Sequence, residues 1–436
     1  MRSRMIETQS RKTSGDKTRR KGESSMKKKI AAILISMLCI ASVLTGCAVQ
    51  QAGRGQTQTT SGTIGADATT RETATQQAAE TDGQSELFTD RDLSAAYDEE
   101  TYTVELTGTG AASASEKVSV SGSDVTITGA GTFILTGSLS DGSILVDADK
   151  EDKVQLVLSG VHISSADYAA VYVKQADKVF VTLADGTENT LSNGGAYTQR
   201  DDNDVDAVIF SKDDLTFNGT GTLTISASAG HGIVGKDDVK FAGGSYTVTA
   251  AEHAIRANDL IAVAAGMLSL QAGEDGLHAE NSEDETRGNI RILDGEITVR
   301  CKDDAVHANT LLQIDGGNLD LKGAEGLEGT YVRINAGDIF ISASDDGINA
   351  GRKSSAYVPT VEINGGEVTI VMGEGDTDGV DSNGNLIITG GTIDVTANSS
   401  FDYDGTAEYT GGVVIVNGKE VTSIPNQMMG GGKGRP

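Results

Sequence analysis

The chain has 436 residues, including 55 glycines, three prolines and no tryptophan, and its formal charge is −28. A protein this acidic should repel nucleic acid and anionic membrane surfaces, which excludes both as direct ligands and leaves cations, or anions bridged by a cation. High glycine with abundant Thr, Ser, Val and Ile favours many short strands joined by tight turns.

The N-terminal region predicts an exported, lipid-anchored protein. Lys27–Lys29 precede an apolar run over residues 30–44, and the sequence LTGC then ends at Cys47. A basic segment, a short apolar segment and small residues before a cysteine are typical of a bacterial lipoprotein signal. We therefore predict cleavage before Cys47, lipid attachment to its thiol and an extracytoplasmic location at the cell surface. An uncleaved membrane anchor is the alternative, and Met26 is a second candidate start.

The segments beside the domain are predicted from composition. Residues 1–46 hold 11 of the 35 Lys and Arg and 3 of the 63 Asp and Glu, so their removal would bring the formal charge to −36. The remaining cysteines would be Cys47 and Cys301, which predicts no intramolecular disulfide. Residues 47–85 are rich in Gln, Thr, Ala and Gly and predict a flexible tether, and residues 426–436 predict a disordered tail. The folded domain is then expected over residues 86–425.

One phrase of alternating apolar and polar residues recurs from about Gly221 onward. Its copies are GTLTISA (221–227), GSYTVTA (244–250), GMLSLQA (266–272), GEITVRC (295–301), GNLDLKG (317–323), GDIFISA (337–343), GEVTIVM (366–372) and GTIDVTA (391–397). A two-residue period indicates strands with one buried face, and units of about 20–29 residues cannot bury that face alone. The units must stack, so we predict an all-β fold, a single-stranded parallel β-helix with three short strands per coil. A β-sandwich remains the alternative for the first 130 residues of the domain, and the insertions at 280–288 and 351–360 should be loops at one corner.

Stacking would turn a second repeated phrase into columns of side chains. A leading column contains His231, His253, Asp275, Asp304, Glu325, Asp346 and Asp378. The next position is Gly or Ala in every repeat, and the position after that is a branched residue that should point inward. An outer column follows, containing Arg256, His278, His307, Glu328, Asn349 and Asp381.

The acids of these phrases have two interpretations. Asp at a corner can be a solvated turn residue that bonds nearby amides. Carboxylates about 4.8 Å apart in successive coils, however, raise each other's pKa, and a calcium ion between them would remove the repulsion. We predict bound calcium with ligands among Asp275, Asp303, Asp304, Glu325, Asp345, Asp346 and Asp378. Neither the EF-hand spacing nor a nine-residue calcium repeat is present.

The histidines and the small residues predict contacts with a ligand. His278 and His307 should stand in adjacent coils, where they either touch ligand hydroxyls or form a plain surface ladder. Zinc would need more N or S ligands, and no Cys or further His lies in register. If the Gly and Ala positions face outward, they form a shallow floor for an extended polymer. The predicted ligand-binding residues are Arg256, His278, His307, Glu328 and Asn349.

Four phrases resemble those of a family of clostridial cell-surface carbohydrate-binding proteins: EDGLHA (274–279), KDDAVHA (302–308), AEGLEG (324–329) and SDDGINA (344–350). The likeness spans roughly residues 85–425. It implies a right-handed parallel β-helix similar to that of pectate lyases, calcium bound at Asp275, Asp304, Asp346 and their neighbours, and association with pectin-like or cellulose-like polysaccharide. Because the chain lacks Trp, sugar stacking would fall to tyrosines such as Tyr331, Tyr357, Tyr403 and Tyr409.

Three functions remain open. The first is a monomeric, non-catalytic surface protein that binds an acidic polysaccharide, with calcium shaping or bridging the site. The second is a calcium-dependent polysaccharide lyase, in which Arg256, Lys302 or Lys322 would remove a proton beside the metal. A structural envelope protein is the third. The two carboxylates of a glycosidase are matched by any acid ladder, so they indicate nothing specific.

Overall fold

The computed structural model describes residue 84 and residues 86–97, 100–374 and 377–426. A helical turn, closed by the 2.8 Å hydrogen bond from Phe88 N to Gln84 O, precedes an array of strands that begins at Thr101. The all-β prediction is confirmed for these residues. No helix among them has the length and hydropathy needed to cross a membrane. The predicted signal peptide, Cys47, the tether before residue 84 and the tail after residue 426 lie outside the described residues.

The strands are short and follow one another at close intervals. The first half of the described chain contains β1 (Thr101–Gly108), β2 (Ala111–Ala112), β3 (Val118–Ser121), β4 (Asp124–Ile127), β5 (Gly131–Leu139), β6 (Ser143–Asp147), β7 (Lys153–Ser165), β8 (Val171–Gln175), β9 (Lys178–Leu183), β10 (Glu188–Asn193), β11 (Ala207–Ser211), β12 (Asp214–Gly219), β13 (Thr222–Ala227), β14 (His231–Gly235), β15 (Asp238–Ala250), β16 (Ile255–Ala257) and β17 (Leu260–Ala272). The second half contains β18 (Leu277–Ala279), β19 (Asn289–Ile292), β20 (Glu296–Arg300), β21 (Val306–Ile314), β22 (Asn318–Gly323), β23 (Leu327–Ile334), β24 (Asp338–Ala343), β25 (Asp346–Ala350), β26 (Thr360–Ile363), β27 (Glu367–Met372), β28 (Asp378–Ser382), β29 (Asn385–Ile388), β30 (Thr392–Thr396), β31 (Ser399–Tyr403), β32 (Ala407–Tyr409), β33 (Val413–Val416) and β34 (Lys419–Val421).

Three parallel ladders organise these strands, and each strand pairs with the strand one repeat further along the chain. Ladder A contains, in the order in which they pair, β1, β5, β7, β9, β12, β15, β17, β19, β21, β23, β26, β29 and β32. The long strands contribute one half each: the first half of β1, β5, β7, β15 and β17, and the second half of β21 and β23. Ladder B contains, in the order in which they pair, β1, β5, β7, β10, β13, β15, β17, β20, β22, β24, β27, β30 and β33. Here β1, β5, β7, β15 and β17 contribute their second halves. Ladder C joins β4, β6, β8, β11, β14, β16, β18, the first halves of β21 and β23, β25, β28 and β31.

Antiparallel pairing occurs only at the ends of this array among the described residues, between β1 and β2, β3 and β4, and β33 and β34. The alternative of a β-sandwich for the first part of the domain is therefore wrong, because sandwiches are built from antiparallel sheets and β5–β12 pair in parallel. The repeats of this part look looser in sequence, yet their strands join the same three ladders.

The repeated phrase places one face of each strand in the core. In β13, Leu223 and Ile225 are buried while Thr222 and Thr224 are exposed. The inward-facing apolar side chains of the three ladders form one continuous cluster from Val104 to Val414. The predicted two-residue period is confirmed, and it explains why no single repeat could be stable alone.

The glycine that opens each phrase has a backbone reason. Gly317, just before β22, has φ +93, a conformation that L side chains rarely adopt. A Cβ atom there would also lie 2.9 Å from the carbonyl oxygen of Gly295 in the preceding repeat. The turn into ladder B therefore requires Gly, which is why the same letter starts successive units.

The two predicted insertions leave the same corner, between ladders C and A, and they contact each other. Ser354 donates its hydroxyl to the carbonyl oxygen of Glu285 over 2.6 Å, and Ser354 N donates to Thr330 Oγ1 over 2.8 Å. The prediction of loops at one corner is confirmed. Together they form a wall beside ladder C.

Candidate functional site

Ladder C sets the register of the predicted columns. Val306 pairs with Leu277 in one neighbouring repeat and with Leu327 in the other, and all three side chains are fully buried. His307, the next residue, points to the opposite side of the strand. The inward column is confirmed, and the outer column runs in register through Arg256, His278, His307, Glu328, Asn349 and Asp381.

The leading column has a structural role. Asp275 Oδ1 accepts a 2.8 Å hydrogen bond from the backbone N–H of Asp304, which occupies the same position one repeat further along. The same bond joins His231 Nδ1 to His253 N (3.2 Å), His253 Nδ1 to Asp275 N (3.1 Å) and Asp346 Oδ1 to Asp378 N (3.2 Å). At these four positions the side chain serves as an acceptor for the next repeat, and Asp and His both supply one. Part of the acid column is thus explained by the turn chemistry of Asp.

The predicted floor of small residues is wrong. Ala254 and Ala305 are fully buried, and a Cβ on Gly326 would lie 2.3 Å from Ile341 Cγ2 and 2.4 Å from the carbonyl oxygen of Gly347. The chain bends into ladder C at this position, so the small residues face the core side chains of ladder B. The column therefore has room only for Ala at some repeats and only for Gly at Gly326, and the position offers no surface to a ligand.

Four imidazole rings form one stack along ladder C. The ring centroids lie 5.1 Å apart for His231 and His253, 4.3 Å for His253 and His278, and 4.7 Å for His278 and His307. As expected, no further His among the described residues is in register with the last two, because Arg256 and Glu328 are their ladder neighbours. The rings of His231 and His253 reach the same line from the leading column. Neighbouring rings lie within 4–31° of parallel, and one ligand atom each of His253, Asp275 and His278 lies within 4.8 Å of the other two.

The first two rings of the stack are held neutral. His231 and His253 accept backbone hydrogen bonds at Nδ1, so the proton is on Nε2, which faces Glu252 at 3.1 Å and Glu274 at 3.2 Å. Burial and a neighbouring imidazole lower the pKa of His231 to about 3 and that of His253 to about 4.

His307, at the other end of the stack, is held charged. Its Nδ1 lies 3.0 Å from Asp304 Oδ2 and 2.5 Å from Glu328 Oε2. Burial opposes the charge, but the hydrogen bonds with these two carboxylates raise the pKa of His307 to about 10. Burial likewise works against the Glu328 carboxylate, but the bond with His307 lowers the pKa of Glu328 to about 2.

A cluster of three carboxylates surrounds this charged pair. Asp304, Glu325 and Glu328 each place an oxygen within 4.8 Å of the other two. Burial and the neighbouring Glu328 raise the pKa of Glu325 to about 8, and burial is the largest cause of a rise to about 6 for Asp304. Glu325 Oε2 and Asn349 Oδ1 are buried with no hydrogen-bond partner among the described residues. Hard oxygen donors with spare lone pairs fit a calcium ion.

Lys353, from the second insertion, contacts this carboxylate cluster. Its Nζ lies 2.5 Å from Glu328 Oε1. Burial opposes the ammonium charge, but the bond with Glu328 raises the pKa of Lys353. Sequence reasoning did not select Lys353, although the insertion GRKSSAYVPT places basic residues at the corner that borders the outer column.

The remaining acids are either buried or half-buried beside other charged groups, or exposed. Asp346 and Asp381 lie in neighbouring repeats of ladder C, and burial followed by nearby carboxylates raises their pKa values to about 7 and about 6. Burial also opposes the charge on Asp275, whose carboxylate bonds His278 Nδ1 at 2.6 Å. Asp303 and Asp345, also predicted as metal ligands, are exposed and join no ligand cluster within the described part of the chain.

The predicted basic and aromatic residues are widely separated. Arg256 lies at the start of the outer column and borders an open cleft with Lys236 and Glu280, and its Nε has no partner within the described residues. Lys302 and Lys322 instead line a different groove beside Cys301, whose thiol pKa is raised to about 12 by burial. Of the four predicted tyrosines, Tyr331 and Tyr357 contact each other on the ladder A side, while Tyr403 and Tyr409 pack partly buried against the core.

Comparison with known proteins places these columns inside a recognised family region. The model of the family described as carbohydrate-binding domain-containing protein matches residues 121–377 and 323–425. A carbohydrate-binding domain-containing protein of Acetivibrio thermocellus is 40% identical over 207 residues, which is 47% of this chain and 72% of that protein. A solved structure of a polysaccharide lyase-like protein from C. thermocellum, a gadolinium derivative, has 29% identity and a TM-score of 0.49, covering 63% of this chain and 98% of that one. The two family matches together contain the whole outer column.

Proposed function

Because this chain belongs to the carbohydrate-binding domain-containing protein family, we propose that it is a non-catalytic protein that binds a polysaccharide along the outer column of ladder C. One observation carries the assignment to this face. The outer column presents hydrogen-bonding side chains in six successive repeats, and two of its buried atoms, Arg256 Nε and Asn349 Oδ1, have no partner among the described residues. Unsatisfied buried donors and acceptors are favourable positions for ligand hydroxyls and carboxylates.

We infer further that the ladders wind as a right-handed parallel β-helix. Within each repeat the chain visits ladder A, then B, then C, and returns to A one strand further along. Crossovers between parallel strands are right-handed in about 98% of cases. On this winding the outer column is a straight line parallel to the long axis, which suits an extended polymer.

The calcium proposal rests on Asp304, Glu325 and Glu328. Three carboxylates within 4.8 Å destabilise one another, and after burial, the largest cause, this repulsion contributes to the raised pKa of Glu325. Calcium takes six to eight oxygen ligands, so Asn349 Oδ1, Glu325 Oε2 and ligand oxygens would complete the set. A bound ion would supply positive charge that holds a carboxylate of the polysaccharide against an otherwise anionic face.

This arrangement favours an acidic, pectin-like polysaccharide over a neutral one at the outer column. Free uronate would be repelled by Glu328 and Asp381, and calcium converts that repulsion into a bridge. Lys353 contacts the proposed metal site and Arg256 lies further along the same column, and both add charge of the same sign as the ion. Both can pair with a uronate carboxylate.

The lyase alternative asks for a base that can be neutral beside the metal. Lys353 contacts the carboxylate cluster, as does His307, and its bond with Glu328 holds the ammonium protonated. Lys302 and Lys322 line another groove. Arg256 belongs to the outer column, so an Arg256 variant is part of any test for lyase activity.

The location of the protein stays a prediction from its sequence. Lipid attachment at Cys47 would hold the domain at the outer surface of the cell membrane, with residues 48–85 as the tether. Cys47→Ala should then release the protein from the membrane fraction or leave its precursor uncleaved, whereas unchanged processing and fractionation would contradict the lipoprotein signal.

The function is tested by mixing purified protein with insoluble polygalacturonate in calcium and in chelator. We expect the protein to sediment with the polymer in calcium and to stay in solution in chelator. Ultraviolet absorbance of the same samples reports unsaturated products. Product formation that disappears in Arg256→Gln would favour the lyase, and equal sedimentation in the two buffers would contradict calcium bridging.

A further inference from the structure

A second cleft, on the ladder A side of the corner, has the composition of a site for a neutral sugar. It has a volume of about 310 Å³ and lies between Leu87 and Tyr357. Leu260 and Leu311 give it an apolar floor, and Arg291 and Asn289 add polar groups. Pyranose rings have apolar faces and hydroxyl edges, and sites that bind them combine the same two surfaces.

Tyr357 forms the exposed aromatic wall of this cleft. Its ring lies 5.3 Å from that of Tyr331 at 65°, and Tyr357 is 40% exposed. Tyr331 is itself fixed by a 2.5 Å hydrogen bond to Glu362 and by the guanidinium of Arg333, 4.9 Å from its ring centre. The fixed Tyr331 therefore supports the exposed Tyr357. Little side-chain entropy is then lost when a sugar ring stacks on Tyr357.

Arg291 brings an unpaired donor to the cleft. Only 16% of its side chain is exposed, and Nε has no partner among the described residues. Its ion pair from Nη2 to Asp315 Oδ2 is long at 3.4 Å. A buried donor left unpaired is costly, and an oxygen of a bound sugar would satisfy it.

The charges around the cleft are balanced, unlike those of the outer column. Asp259 pairs with Arg287, and Asp238 pairs with Lys240 at 3.0 Å. With Arg291 paired to Asp315, none of these ion pairs leaves an excess charge. The cleft therefore suits a neutral ligand, which the anionic outer column does not select.

We propose that this cleft is a second sugar subsite, in which a neutral pyranose stacks on Tyr357, rests on Leu260 and Leu311, and accepts a hydrogen bond from Arg291 Nε. The proposal deepens the proposed function, on which it rests. The same insertion carries Lys353 at the carboxylate cluster and Tyr357 at the cleft, and four residues span at most about 14 Å. One polysaccharide that holds uronate and neutral residues can therefore occupy both faces.

The test uses the full mature chain with cellohexaose as a neutral probe and oligogalacturonate as an acidic one. Tyr357→Ala and Arg291→Lys should each weaken cellohexaose binding about tenfold, in calcium and in chelator alike, since neither contact involves the metal. Tyr97→Ala removes another exposed tyrosine, at the end of residues 86–97, and should leave the affinity for both probes unchanged. Melting temperatures of the variants report whether they fold as the wild type does.

The outcomes separate this subsite from the proposed function. Wild-type affinity for cellohexaose in both Tyr357→Ala and Arg291→Lys would overturn the subsite. Absence of cellohexaose binding with intact calcium-dependent oligogalacturonate binding would also overturn it and leave the proposed function standing. If the wild type binds neither probe, both proposals fail. A pairing of Asp304→Asn with Glu325→Gln should abolish oligogalacturonate binding and leave cellohexaose binding unchanged.

Discussion

Glu328 Oε2 lies 2.5 Å from His307 Nδ1 in the preceding repeat, and Glu328 Oε1 lies 2.5 Å from Lys353 Nζ in the insertion that follows. One carboxylate therefore holds two cations in the middle of the outer column. The pair with His307 is built into ladder C, whereas Lys353 comes from the corner loop. Any calcium ion bound at Asp304 and Glu325 must share Glu328 with both.

Replacement of Lys353 by Met should raise calcium affinity. The change removes a positive charge that contacts Glu328, so the carboxylate cluster attracts a divalent cation more strongly. The same change leaves Glu328 with one cation fewer, and the calcium-free protein should melt at a lower temperature. Calorimetric titration with calcium measures the first effect and thermal melting the second. Arg352→Met is the matched control, because it removes the neighbouring exposed cation. Weaker calcium binding in Lys353→Met than in Arg352→Met would contradict the shared-carboxylate geometry.

Calcium should stabilise the fold through Glu325. A ligand at one hundred times its dissociation constant adds about 2.7 kcal/mol to the free energy of unfolding when it binds only the native state. Glu325→Gln imitates the protonated carboxyl, so the variant should match the wild type in chelator and gain less from calcium. Asp303→Asn removes a charge from an exposed residue and should gain as much as the wild type. Superposed wild-type melts in calcium and chelator would contradict the metal site.

The histidine stack should make stability depend on pH. The pKa of His231 is about 3 in the folded protein, against 6.5 for an ordinary histidine, so between these values the unfolded chain binds a proton that the folded chain does not. The contribution of the neutral His231 ring to the free energy of unfolding is complete above pH 6.5. Below that pH this free energy falls by up to about 1.4 kcal/mol per pH unit. His231→Asn keeps an acceptor for His253 N and should flatten this dependence.

Urea unfolding at about pH 7 and about pH 5 measures the difference. The aspartate and glutamate beside the ring, Asp206 and Glu252, are present in both proteins. His162→Asn changes an exposed histidine outside the stack and should keep the wild-type slope. An equal loss of stability in wild type and His231→Asn would show that the buried ring is not the titrating group.

The column of small residues makes a prediction about packing. Gly326→Ala would place a methyl group 2.3 Å from Ile341 Cγ2 and 2.4 Å from Gly347 O, and overpacking of this kind costs about 1–3 kcal/mol. At Gly351 the nearest atom to a built Cβ is 3.7 Å away, so Gly351→Ala should leave stability almost unchanged. Denaturant midpoints compare the two variants. Similar midpoints for both would mean that ladder C can shift to admit the methyl group.

The ladders and the columns could be predicted from the sequence, but the contacts between columns and from the corner loop could not. The period of two and the repeat length determine which residues of β18, β21 and β23 are neighbours, so Val306 and His307 could be assigned to opposite faces. The inward turn at Gly326 depends on how sharply the chain bends before ladder C, which no residue pattern reports. The approach of Lys353 to Glu328 depends on the path of a loop, and the meeting of His253 with His278 depends on side-chain reach between columns.

The most direct test of calcium-bridged polysaccharide binding compares two double variants that differ in which carboxylates they neutralise. Asp304→Asn with Glu325→Gln changes the clustered pair, and Asp303→Asn with Asp345→Asn changes two exposed acids, one beside Asp304 and one in the phrase that follows that of Glu325. The dissociation constant for oligogalacturonate is measured by calorimetry in calcium for wild type and both variants. We predict wild-type affinity for the exposed pair and no detectable binding for the clustered pair, with melting temperatures in chelator showing both to be folded. Equal affinity in the two variants would contradict the account.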